Sequence, residues 1–99
     1  MNQEVMKQIW AQVTALAREG IAHAWNALPG VDGPEREAFA LDLAMPRIEA
    51  VDHALPVIGR YMDLPVVDWA EREAVRHLIR ALVRREYAAV RIESLKEQA

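Results

Sequence analysis

The three histidines of this chain are the residues whose type and spacing could do chemistry. Each follows a glutamate by four positions, as Glu19 and His23, Glu49 and His53, and Glu73 and His77. On an α-helix that spacing brings both side chains to one face. A carboxylate and an imidazole so placed can supply two ligands to a divalent transition metal such as zinc, manganese or iron. Three helices offering one pair each would make a site inside a bundle physically reasonable. Asp52 beside His53, and Glu71 near Glu73, add oxygen donors. Two facts weigh on the other side. The same pairing stabilises a solvated helix by ~0.2–0.5 kcal/mol, and ten glutamates produce it easily. Carboxylate metal sites in bundles more commonly use Glu-x-x-His, which is absent here. Surface pairing is the expected role, with metal binding the runner-up. No cofactor is predicted.

A second pattern is a row of arginines, Arg72, Arg76, Arg80 and Arg84, with Arg85 and Arg91 beyond. Steps of four drift by ~40° around a helix, so the row is a spiral ridge. Guanidinium groups can hold phosphates, as nucleic-acid binders do. The net charge of −3 argues against that use. Residues 29–63 carry seven acids and three bases, whereas residues 64–99 carry six acids and seven bases. The acidic middle and the basic last third are expected to pair with each other, within one chain or between two.

Other chemistries lack their parts. Without cysteine there is no disulfide, thiol catalysis or thiolate metal site. Ser94 is the only serine and Thr14 the only threonine, so no serine-type triad can be assembled around the histidines. Gly30 and Gly33 lie in a Pro-bounded turn with no lysine or serine to complete a phosphate loop. The sequence offers no catalytic residue, and a non-enzymatic role is expected.

The elements that must position these groups are read from two breaks. Pro29, Gly30, Gly33 and Pro34 form one, and Pro56, Gly59 and Pro65 form the other. Between them, apolar residues recur at helical spacing and nowhere alternate as in a strand. Helix 1 is predicted over about 3–28, its inward stripe being Met6, Ile9, Val13, Leu16, Gly20, Ala24 and Leu28. Trp10, Ile21 and Trp25 widen that stripe on one flank. Gly20 within it predicts a close helix crossing, since an interior glycine otherwise costs ~1 kcal/mol relative to alanine. Helix 2 is predicted over about 34–55, capped by Asp32 or Gly33, opened by Pro34 and kinked at Pro46. Its expected inward row is Phe39, Leu43, Ala50, Val51 and Ala54. Residues 56–65 read as an apolar connector folded over the core like a lid, with a helical turn around Val57 to Met62. Helix 3 is predicted over about 66–97, with Asp68 and Glu71 spaced as a capping box. Val75, Leu78, Ile79, Leu82 and Val83 face inward, followed by Ala89, Val90 and Ile92.

The expected architecture is all-α: one domain over 1–99, a small three-helix bundle running up-down-up with a Pro-kinked second helix. Fifty-three per cent of the residues are apolar, more than a lone three-helix domain needs. That surplus predicts self-association, a dimer being favoured, or a protein partner. Trp10, Trp25, Val57, Ile58, Tyr61 and Met62 are the expected interface residues, aromatic side chains being common interface anchors. The opening Met1-Asn2-Gln3-Glu4 lacks the basic start and apolar stretch of a signal peptide. No apolar run approaches the ~20 residues that span a bilayer. A soluble, cytoplasmic protein is expected. The run from Pro34 to Ala44 (PEREAFALDLA), followed by a Leu-Pro-containing linker and a third helix, resembles the soluble part of small phage holin-type proteins. The resemblance covers about half the chain and implies a phage-related accessory role. Holins carry a membrane segment at the N-terminus, where this chain has Gln8, Gln12, Arg18 and Glu19. No residue role is carried over.

Overall fold

The structure, a computed structural model, describes residues 2–28, 30, 33–63 and 72–98. Within them the chain is all helical: α1 Gln3–Ala27, α2 Gly33–Glu49, α3 Ala54–Tyr61 and α4 Arg72–Gln98. The fold class is as expected, with four helices in place of three. The capping residues Asp32, Asp68 and Glu71, together with Leu64, Pro65 and Trp69, lie outside the described residues.

Asn2 starts α1, its side-chain oxygen accepting from the Val5 N–H at 2.8 Å. At the other end, Arg36 of α2 donates to the Leu28 carbonyl at 3.0 Å, satisfying an acceptor that the helix terminus leaves open. Gly30 takes the positive φ of 80° that the turn between α1 and α2 requires. The two helices then run antiparallel and cross closely at Gly20. A Cβ placed on Gly20 would lie 2.9 Å from the Ala40 carbonyl oxygen and 3.3 Å from the Ala44 Cβ.

This crossing corrects the expected face of α2. Its buried residues are Ala40, Leu41, Ala44, Met45 and Ile48, while Phe39 and Leu43 are half-buried and Ala50 is exposed. The bulkiest side chains suggested one face, but close approach at Gly20 selects the face that carries alanines. Helix α2 continues through Pro46 and stops one turn later, at Glu49. The single kinked helix over 34–55 is thus two helices. Between them His53 adopts a left-handed backbone (φ 60°, ψ 17°), which redirects the chain into α3.

Helix α3 replaces most of the expected connector. Pro56 falls in its first turn, where a missing N–H breaks no intrahelical hydrogen bond. Val57, Ile58 and Gly59 are buried, so this segment belongs to the core and is not a lid over it. Val13, Ile21, Ile48, Val57, Ile58, Ile79, Leu82 and Val83 are the largest fully buried side chains. They come from all four helices. On α4 the predicted row Val75, Leu78, Ile79, Leu82 and Val83 is buried. Beyond it Ala89 and Val90 are half-buried and Ile92 is 54% exposed.

Two substitutions test these constraints by thermal unfolding. Gly20→Ala gains helix propensity but drives a methyl group into a backbone oxygen that cannot step aside. It should destabilise the fold by about 1–3 kcal/mol; an unchanged or raised Tm would mean the crossing opens freely. His53→Gly relieves a left-handed residue and should raise stability by roughly 0.5–1 kcal/mol. A lower Tm for that variant would show that the imidazole contributes more than the backbone strain removes.

Candidate interaction surface

The glutamate–histidine pairs do not come together. His23 and Glu19 lie exposed on α1, with Nε2 and Oε1 3.9 Å apart. Glu19 is also the acceptor for Arg47 of α2 at 3.0 Å. Glu49 ends α2, so His53 is not on the same helix and stands 3.9 Å from Asp52 instead. Glu73 and His77 are exposed in the first turns of α4. Among the described residues, no group of three or more His, Asp or Glu is placed to hold a metal ion.

The arginine ridge has partners inside the chain. Arg76 reaches Asp42 at 3.2 Å and directs a second nitrogen toward the Met45 sulfur at 3.9 Å. Arg80 and Arg84 share Glu37, at 3.7 and 2.5 Å. Arg72 is exposed at the start of α4. The acids of α2 therefore answer the bases of α4 along an antiparallel seam. These pairs are half exposed, so each contributes well under 1 kcal/mol; their main effect is to fix which faces meet.

A more enclosed pair ties α1 to α4. Arg18 donates to Glu86 at 2.7 Å, and Glu86 is the one charged residue buried among those described. The hydrogen bond that Arg18 donates to Glu86 raises the Arg18 pKa above the ordinary arginine value; the charges of Glu86 and Glu93 act the same way, and desolvation opposes them. The stabilisation linked to this raised pKa is fully present below the ordinary arginine pKa and is lost only as pH rises past the higher folded value. Arg18 therefore stays charged across any ordinary assay range.

The tryptophans are engaged as well. Trp10 stacks on Tyr61 with ring centroids 4.9 Å apart, and Arg85 lies 5.6 Å from its centroid. Trp25 meets Tyr87 at 5.3 Å, and Arg36 sits 4.7 Å from its ring centre. Both indoles are half-buried. Of the other residues expected at an interface, Val57 and Ile58 are fully buried in the chain's own core. Met62 packs against that core, and Tyr61 remains 37% exposed.

One of the open clefts is a groove of about 670 Å³ that sequence reasoning missed. One wall is Val5, Ile9, Gln12 and Leu16 of α1; the other is Arg47, Ala50, Val51, Asp52 and His53. Val5 is 41% exposed. Ile9 and Leu16, expected in the inward stripe, sit half-buried on its flank. The signal was available in the steps of four, three and four from Val5 to Leu16, the spacing of a helix–helix seam. It was masked because Ile9 and Leu16 also fit the inward stripe. No family model, curated protein or solved structure matches this chain.

The Arg18–Glu86 pair yields a prediction. Arg18→Ala leaves a buried carboxylate without its donor and should destabilise the fold by about 1–3 kcal/mol, the lower end reflecting the exposed guanidinium. Urea denaturation of Arg18→Ala beside Arg18→Ala/Glu86→Leu checks this. The double variant should recover much of the loss, since no unpaired charge remains buried.

Proposed function

We propose that this chain is a non-enzymatic helical interaction module that self-associates through the α1 side of its surface. The observation supporting this most directly is the open apolar groove along Val5, Ile9, Leu16 and Val51. An exposed apolar strip rimmed by polar groups is the usual mark of a contact with another protein. The internal pairing of Arg76, Arg80 and Arg84 favours a protein contact over phosphate binding, because a nucleic acid would have to displace Asp42 and Glu37. The two tryptophans, first expected at the interface, act in this reading as braces that hold α1 against α3, α4 and the start of α2. None of the described helices is long and apolar enough to cross a membrane.

Val5→Glu is the variant to measure. Position 5 lies in the first turn of α1, where a carboxylate favours the helix dipole, so the fold should keep its stability. Sedimentation velocity should show wild-type protein associating with rising concentration and Val5→Glu remaining monomeric. A wild-type chain that stays monomeric at millimolar concentration, or a variant that associates equally well, would overturn the proposal.

A further inference from the structure

Arg18, Arg47, Arg76, Arg80 and Arg84 each pair with a carboxylate of another helix. Among the described residues Lys7, Arg60 and Arg85 have no such partner, and all three stand about the Trp10–Tyr61 stack. Lys7 and Arg60, both exposed, line a cleft of about 390 Å³ together with Gln3, Met6 and Tyr61. Met6 is buried and supplies its apolar part. Tyr61 is held from one side by Trp10, the rings being within 11° of parallel, and its exposed part lines the cleft. Arg85, 5.6 Å from the centre of the Trp10 ring, adds a third positive charge nearby. On α1, Lys7 lies ~200° around the helix from Val5, so this cleft and the apolar groove open on different sides.

Two unpaired cations in one concave cleft repel each other, and an anion between them replaces that repulsion with charge-assisted contacts. A carboxylate carries a single charge. A phosphate monoester carries about −1.5 to −2 near neutral pH and so matches the pair. The arginine fork takes two phosphate oxygens at once, while the lysine ammonium acts as a point charge. Beside these cations the cleft offers a fixed aromatic ring, on which a second ring stacks favourably. Its volume is that of a site for one small molecule, typically about 300–1,000 Å³, and not of a channel for a polymer. We propose that the cleft binds a small aromatic phosphate monoester, with the phosphate between Lys7 and Arg60 and the ring against Tyr61. This site stands independently of the self-association proposed above, since it uses no residue of the groove.

Titration calorimetry on the full chain with phenyl phosphate, inorganic phosphate and phenol provides the test. Phenyl phosphate should bind with a Kd of about 1 mM or tighter. Inorganic phosphate should bind about fivefold more weakly, having no ring to stack, and phenol should give no measurable heat. Lys7→Gln and Arg60→Gln should each weaken phenyl phosphate roughly tenfold. Both should keep the wild-type Tm, because neither side chain has an ion pair to lose. Arg91→Gln removes an exposed cation outside the cleft and should bind as the wild type does. Tyr61→Leu should bring phenyl phosphate down to the affinity of inorganic phosphate. If loss of the Trp10 stack unfolds that variant, the two ligands compared on wild-type protein still read the contribution of the ring. No binding of phenyl phosphate at millimolar concentration, or equal weakening by Arg91→Gln, would overturn the site. Equal affinities for phenyl and inorganic phosphate would overturn the assignment of an aromatic ligand.

Discussion

The approach of α1 to α2 at Gly20 is the constraint on which the other contacts depend. With the Ala40 carbonyl 2.9 Å from where a Cβ would sit, the two backbones are as close as side-chain-free packing allows. That closeness selects Ala40 and Ala44 as the buried face of α2 and so sets the rotation of the helix. Glu37 and Asp42 then face α4, where the arginine ridge meets them. Arg36 is carried to the end of α1, where it stacks on Trp25 and closes the Leu28 carbonyl. Phe39 and Leu43, the bulkier candidates for the core, are left half-buried because α2 is not free to rotate toward them.

Charge in this molecule works mainly as alignment. The half-exposed arginines of α4 add little stability individually, but they turn the face of α4 that carries them toward Glu37 and Asp42 of α2. Arg18 and Glu86 do the same for α1 and α4, in a less hydrated place where an unpaired carboxylate is more costly. The two tryptophan clusters share this pattern: each combines an indole, a tyrosine and an arginine drawn from different helices. Polar and aromatic contacts between helices thus specify the arrangement that apolar burial stabilises.

With the charged ridge and the tryptophans engaged internally, one apolar strip left open lies on a flank of α1. It faces the corner between α2 and α3. That corner exists because α2 ends shortly after Pro46 and His53 turns the chain, so the second wall of the groove follows directly from the backbone there.

By itself the sequence determined the helical class, the extent of α1, the start of α2, the buried row of α4 and the need for a close crossing at Gly20. All of these follow from local periodicity, capping and the absence of a side chain. Only the tertiary structure decided the rest. Pro56 and Gly59 read as a break, yet Pro56 opens α3, since proline suits a first turn as well as a linker. Val57 and Ile58 looked available for a partner, but the turn at His53 folds them into the core. The Glu49–His53 spacing implied a shared face, and the end of α2 removed it. Ile9 and Leu16 fit an inward stripe by spacing alone; their place on its flank depends on the rotation of α1 against α2. Periodicity locates an apolar arc on each helix, but the depth at which two backbones meet decides which part of that arc is buried and which part is left to face a partner.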